Sequence, residues 1–530
     1  MTVKTAVGTD DGGSLRAPVI VVGAGTAGTS FVLEFARNSD LPLTVVEPGT
    51  EAVGSSSHRF FDAVRPENLW PDVKVQCVRN GPVQAYPVAR VLGGGSAVNG
   101  MLDDPAETPG VALRAVGRVA LRIAESSGSP PGQVSGALLA LGGRRWAMNR
   151  DDAGRIDRVS ALCAMADAGR IGLVRGEVER VVIEDGRTTG VIVDGRFLAA
   201  SKVVMAAGAV GTARILDRSD LPEQAAADVG HGLADHPAIS FVLHLREPAG
   251  EQFADCAAFL EVGSARWHQP AHAGIVNAPF LLALPRLSRG VISAFERASA
   301  SESHIGMLMG ILFNAQSVGH IDFGENVILR PNMLSAEMDQ AAMIGLVREM
   351  IRVALSPEIA AIATHVTVDS VGTRVTEIAG LSDDLLCEWV KAHLVPVAHA
   401  TGTCRRLVAR GIERLNPDGR PDLGPRAATR RLAALQRAVE KGELEVLKRL
   451  TEMQIAEMQI GWRPSGGVVG TPKAAVASSE VVGVQGLHIV DASVLVDVDG
   501  MPNARIARHA VQQAQFLTAT AGRDETGQTA

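Results

Sequence analysis

Apolar residues near the start of the chain fall in short unbroken runs instead of alternating with polar ones, the pattern of strands buried on both faces of a parallel sheet. Val19-Ile20-Val21-Val22 is the first run; Leu43-Thr44-Val45-Val46 is the second and ends in Glu47. Phe31, Leu33 and Phe35 mark a helix between them, so the segment reads strand, helix, strand. Val203-Val204-Met205 runs into Ala206-Ala207-Gly208, and Ile489-Val490 runs into Asp491, two more buried strands that stop at small or acidic residues. Further in, positions 318–323 predict a strand, and Ile328 and Leu329 precede Pro331. Met343, Ile344, Leu346, Val347, Met350 and Ile351 then recur at helical spacing. A short helix is expected over 111–123, a Ser/Gly/Pro linker over 126–135, and helix over 426–462 with a break at Gly442.

Length and charge narrow this picture. A chain of 530 residues exceeds what one core usually organises and predicts two or more domains. Hydrophobic residues at 46% are ordinary for a globular protein, and a net charge of -7 is too small and of the wrong sign for a nucleic-acid partner. Cys77, Cys163, Cys256, Cys387 and Cys404 are scattered and odd in number, which argues against a disulfide framework or a zinc site and for a reducing, cytoplasmic setting. No run of 18 apolar residues occurs, so no transmembrane segment is expected and membrane contact would be peripheral. The chain has a single tyrosine, Tyr86, and 4% aromatic residues, which predicts aliphatic pocket walls. Residues 405–463 hold 13 Lys/Arg and 8 Asp/Glu, a local +5 on a remainder of -12. A basic helical hairpin of this kind can dock a partner or an anionic surface, and a solvated charged face explains it as simply.

Chemistry enters with Gly23-Ala24-Gly25-Thr26-Ala27-Gly28, placed directly between the first strand and its helix. In this context Gly23 permits the tight turn, Gly25 lets the backbone approach a pyrophosphate, and Gly28 allows close strand–helix packing. The helix N-terminus offers its free N–H groups to the phosphates. Glu47 lies 19 residues past Gly28, where a carboxylate can accept the ribose hydroxyls and would repel the 2'-phosphate of NADP. Three successive glycines, Gly93 to Gly95, allow the main chain to run against a flat or charged ligand, and Asn99 can hydrogen-bond it.

The run Arg90-Val91-Leu92-Gly93-Gly94-Gly95-Ser96-Ala97-Val98-Asn99-Gly100-Met101 resembles the glucose-methanol-choline (GMC) oxidoreductase family, whose members bind FAD. The same family is matched, in order, by Gly176-Glu177-Val178, by the segment from Ala206 to Leu216, by Val229 to Pro237, by Pro396 to Cys404, and by Gly483 to Ser493 followed by Met501-Pro502-Asn503-Ala504. The resemblance implies an α/β fold: a doubly wound FAD-binding domain built from residues 18–101, 170–235 and 480–520, with an α+β substrate domain of mainly antiparallel sheet over 236–404. A shortened lid over 102–169, a basic helical insertion over 405–465, and flexible ends at 1–17 and 521–530 complete the expected organisation. It also implies that FAD is held by Gly23, Gly25, Gly28, Glu47, Gly93, Gly94, Ser96, Asn99, Gly100, Val178, Gly208, Asp491, Ala492 and Ala504. Val178 would read the adenine through its backbone, and Asp491 would lie near the phosphates and ribityl chain. His399 would be the base, and Asn503 the residue that holds the substrate oxygen. His236 is a further catalytic candidate, but in the family the Asp235-His236-Pro237 stretch is structural, and that role is expected here.

The implied activity is oxidation of a CH–OH group with hydride transfer to FAD, on a small-molecule alcohol or a redox carrier, with an electron acceptor that the sequence does not specify. Dehydrogenase is preferred to oxidase. The mycofactocin-associated dehydrogenases are the subgroup whose large carrier would suit a site under a shortened lid. Departures from the family pattern are the short stretch between Asn99 and Val178, the insertion after Cys404-Arg405-Arg406, Thr212-Ala213 where a proline is usual, and Ser219-Asp220 where a glycine is usual. They keep two alternatives open, a degenerate interaction protein and a lyase that retains FAD without reducing it.

Overall fold

The structure, a computed structural model, describes residues 19–51, 65–102, 132–145, 150–151, 154–155, 159–248, 258–262, 273–277, 304–408, 414–415, 421–422, 478–495 and 500–524. The helices expected over 111–123 and 426–462 lie outside the described residues. The chain divides into two compact units, Met1–Val408 with Ser479–Ala530, and Ala409–Ser478. Within the smaller unit the described residues form one antiparallel pairing, Arg414–Leu415 with Pro421–Asp422.

In the larger unit the apolar runs assemble into a five-stranded parallel sheet in the order Leu487–Ile489, Lys202–Met205, Val19–Val22, Leu43–Glu47, Gly172–Arg175. All four residues of Val19–Val22 are buried, as its central place and two covered faces require. The helix Thr26–Asn38 follows the first strand, and Phe31 and Phe35 share a core with Ala510, Ala514 and Leu517 of the helix Pro502–Asp524. Strands close in space thus come from both ends of the chain.

A second, larger sheet is antiparallel: Ala363–Thr367, Pro237–Leu245, Ile305–Leu312, Ala273–Asn277, Ala258–Val262 and Arg144–Arg145, in that order, with Val395–Pro396 paired to Pro237–Ala238. The helix Glu337–Ala354 carries the predicted apolar face and buries Met343, Leu346, Val347 and Met350. Leu346 and Met350 crowd onto Gly310 of the sheet, where a Cβ would come within 2.4 Å of the Met350 sulfur. A three-stranded meander (Val178–Glu184, Arg187–Val193, Arg196–Ala199) and a four-stranded sheet (His320–Asp322, Val327–Arg330, Val73–Gln76, Val83–Ala85) complete the described strands of this unit, apart from the short pair Arg150–Asp151 with Gly154–Arg155.

Two expectations are corrected. The linker over 126–135 runs into a helix, Gln133–Ala140, because Val134, Ala137 and Leu138 pack into the core beside the antiparallel sheet. The strand over 318–323 shrinks to His320–Asp322, with Val318 left 39% exposed. No helix among the described residues is long and apolar enough to cross a membrane.

Candidate active site

The dinucleotide fingerprint folds into two glycine loops laid against each other. Gly23 has φ +100°, and a Cβ there would sit 2.6 Å from the Ala206 carbonyl oxygen. At Gly28 a Cβ would sit 1.9 Å from the Gly23 carbonyl oxygen, so only glycine lets the helix start this close to the strand. Gly94, at φ +52°, faces Gly25, with 2.9 Å between its would-be Cβ and the Gly25 Cα, while the Gly93 N–H donates to Ala24 O at 2.9 Å. The Ser96 hydroxyl donates to Gly93 O at 2.7 Å, and Asn99 Oδ1 accepts the Met101 N–H at 3.1 Å across half-buried Gly100. The helix Thr26–Asn38 has no side-chain cap, which leaves its first N–H groups available to an anion.

Glu47 is buried at the end of its strand. Its two oxygens accept the N–H groups of Ala24 and Gly49, both at 2.8 Å. Burial raises its pKa; those hydrogen bonds and the charges of Arg175 and Arg90 oppose the rise. Val178 is buried at the start of the meander, opposite Val193.

Asp491 ties the C-terminal part of the sheet to the next loop. Its Oδ2 accepts the Gly208 N–H at 2.9 Å and the Thr212 hydroxyl at 2.5 Å, and its Oδ1 accepts the Ser493 N–H at 2.9 Å. Burial raises its pKa against these bonds. Thr212, the hydroxyl residue just before the departure at Ala213, thus holds the carboxylate directly. Gly208 has φ +81° and open space where a Cβ would stand. Ala492 O accepts the Gly402 N–H at 3.0 Å, and Ser493 O accepts the Cys404 N–H at 2.7 Å, so the Asp491 segment is joined to the histidine loop. Cys404 is fully buried there, and burial pushes its thiol up to about 12.

The histidine loop is zipped onto the Asp235-His236-Pro237 stretch. Ala234 and Thr401 exchange two backbone hydrogen bonds at 3.0 Å, Val397 N–H donates to His236 O at 3.2 Å, and Pro237–Ala238 pair with Val395–Pro396. Asp235 is the knot. Its Oδ1 accepts the N–H groups of His236 at 2.7 Å and His399 at 2.9 Å, and its Oδ2 accepts the Tyr86 hydroxyl at 2.6 Å. The Tyr86 oxygen in turn accepts the Ala400 N–H at 3.1 Å. Burial raises the Asp235 carboxyl to about 6, and burial with the Asp235 charge beside it holds the Tyr86 hydroxyl well above its usual range. Ala398 is forced to φ +65° between these anchors.

His399 emerges half-buried from that clamp. Its Nδ1 meets His236 Nδ1 at 3.1 Å with the two rings edge to face, and its Nε2 has no protein hydrogen-bond partner among the described residues. Desolvation, with His236 adjoining, holds its pKa well below the usual histidine value, which keeps the imidazole neutral. Asn503 opens the C-terminal helix. Its Oδ1 accepts the Thr26 hydroxyl at 2.9 Å, and its buried Nδ2 has no partner among the described residues. Ala504 is buried beside it. Val397 and Met501, each two residues before a predicted catalytic side chain, meet in one apolar cluster with Met101 and Phe313.

A GMC oxidoreductase family model matches residues 159–238, the stretch that holds Val178, Gly208, Thr212 and Asp235. Over that stretch the chain is similar to the GMC oxidoreductases. Solved structures share its fold along almost the whole chain. Pyridoxine 4-oxidase from Mesorbium loti matches with a TM-score of 0.64 at 15% identity, over 94% of this chain and 99% of its own. A formate oxidase from Aspergillus oryzae RIB40 studied for FAD modification gives 0.62 at 14%, over 95% and 98%. A fungal aryl-alcohol oxidase gives 0.55 at 14%, over 95% and 99%. No curated protein matches the sequence.

The residues present fit FAD, the cofactor that the GMC resemblance implies. The stacked glycine loops leave main chain where side chains would exclude a ligand, Gly95 and Gly208 face open space, and an uncapped helix N-terminus and the orphan Asn503 Nδ2 both offer donors. Tyr86 and Asp235 are the contributors that sequence reading did not place in the site, and His236 was weighed there but read as structural. The signals were present, a lone tyrosine and an unusual Asp-His-Pro run, but nothing in the linear order brings Tyr86 to Ala400.

Proposed function

We propose that this FAD-dependent oxidoreductase oxidises a CH–OH group, with His399 as the base and Asn503 as the partner of the substrate oxygen. The observation that carries the reading is the His399 ring: neutral, backbone-anchored by Asp235, and with Nε2 unclaimed among the described residues. When bound, FAD supplies a two-electron acceptor for the hydride that leaves the alcohol carbon. His399 Nε2 takes the hydroxyl proton as that hydrogen departs, which turns the C–O bond into a carbonyl. The Asn503 amide, already held at Oδ1 by Thr26, directs its free N–H groups at the oxygen and steadies developing alkoxide charge. On this reading Gly23, Gly25, Gly28 and Gly94 would hold FAD, with Glu47 serving the ribose and Asp491 the phosphates and ribityl chain.

Anaerobic stopped-flow spectroscopy with a panel of primary and secondary alcohols tests the proposal. At least one alcohol should bleach the flavin, and His399→Ala should keep FAD but slow bleaching by roughly 10²- to 10⁴-fold, about 3 to 5 kcal/mol of barrier. An unchanged rate in the variant removes His399 from the mechanism. A flavin that stays oxidised while substrate is consumed would favour lyase chemistry instead.

A further inference from the structure

His236 is the polar partner of the proposed base's ring, and its placement is built. One carboxylate oxygen, Asp235 Oδ1, accepts the backbone N–H of both histidines, at 2.7 Å and 2.9 Å, and Val397 N–H donates to His236 O at 3.2 Å. Phe313 lies edge-on to the His236 ring with centroids 5.5 Å apart. The two imidazoles therefore stand at fixed places, with their Nδ1 atoms 3.1 Å apart.

A contact between two ring nitrogens at that distance holds one proton. Either His399 donates it, and its Nε2 carries a bare lone pair, or His236 donates it, and His399 Nε2 carries a hydrogen and cannot act as a base. The charged state removes the choice. Once His399 has taken a proton at Nε2, both its nitrogens bear hydrogens, and His236 Nδ1 can stay at 3.1 Å only as an acceptor.

We propose that His236 is a positioning residue: its Nδ1 accepts the Nδ1–H of His399, and so selects the tautomer of His399 with a bare Nε2 and stabilises the imidazolium that forms when the substrate proton arrives. The proposal rests on His399 being the base. It gives the Asp235-His236-Pro237 stretch a part in the chemistry beyond its structural one. The arrangement follows the general rule that the partner of one ring nitrogen decides what the other can do. It uses a neutral acceptor in place of a carboxylate, so it steadies the imidazolium less than a carboxylate would, and desolvation still holds the His399 pKa low.

Nitrogen-15 NMR of the holoenzyme labelled at histidine reads the tautomer without turnover, with His399→Ala identifying the His399 signals. The expected wild-type spectrum has His399 Nε2 unprotonated and Nδ1 protonated; a protonated Nε2 in the neutral ring overturns the proposal. His236→Phe keeps a ring but no acceptor, and should shift His399 toward the Nε2–H form. With the alcohol that bleaches the flavin fastest, it should also slow reduction roughly 10- to 100-fold, a part of the general-base effect, at unchanged half-saturation. His236→Asn, whose Oδ1 can accept, should recover most of the rate. A wild-type rate in His236→Phe also overturns the proposal, whereas a wild-type rate in His399→Ala sinks the base reading alone. If His236→Phe does not fold, the wild-type spectrum and His236→Asn still decide.

Discussion

Asp235 shows how much one buried side chain can organise. Its carboxylate holds Tyr86 and the main chain of His236 and His399, at the cost of a pKa pushed up to about 6. The folded state therefore binds its proton more tightly than the unfolded chain, whose ordinary value is near 3.8. The sign follows: between about pH 4 and pH 6 this group's contribution to stability falls as pH rises, by about 3 kcal/mol in all. Function should run the other way, because the charged carboxylate is the better acceptor for the clamp. Flavin reduction should fall as pH drops through about 6, and this limb should vanish in Asp235→Asn; a limb that persists in the variant assigns it elsewhere. Tyr86→Phe would strand the Ala400 N–H and Asp235 Oδ2 in the interior and should cost about 1 to 3 kcal/mol in urea unfolding. At this scale the sequence was partly legible. His399 and Asn503 stood out by resemblance, but Tyr86, 313 residues before His399, could not be joined to it by any local pattern.

Among elements, the parallel strands were legible because a strand covered on both faces must be apolar at every position, so Val19–Val22 and Leu43–Glu47 stand out as runs. The helix Gln133–Ala140 was not, since its first turn, Gln133 to Ser135, falls at the end of a Ser/Gly/Pro stretch that reads as linker. The tightest element junction is the turn between the first strand and its helix. Gly28→Ala would put a methyl 1.9 Å from the Gly23 carbonyl oxygen, which no rotamer can relieve, and the helix would have to lift from the sheet. The variant should purify with little or no flavin, measured as visible absorbance per protein. Gly95→Ala, where a Cβ meets nothing within 4 Å, should fold normally and report whether cofactor occupies that space. Full flavin content in Gly28→Ala would show that the junction is not what shapes the cradle.

At the scale of the whole molecule, the larger unit closes on itself where the smaller one, Ala409–Ser478, leaves and returns. Val408 and Val481 form a bridge, Val482 N–H donates to Leu407 O at 2.8 Å, and both Val408 and Val481 are buried. Replacing 409–478 by a short Gly/Ser linker should therefore leave a folded protein that retains FAD, checked by flavin absorbance and a cooperative melt; loss of flavin would tie the smaller unit to the cofactor site. By itself the sequence determined the kinds of element, the fingerprint turn and the resemblance to the GMC oxidoreductases, because periodicity, glycine placement and motif order are local properties that survive without contacts. Only the tertiary structure decided which polar groups share one small volume. That Asp235 should hold Tyr86 and both histidines at once depends on strands from distant parts of the chain closing against each other, and backbone hydrogen bonds of that kind leave no mark on the residues that make them.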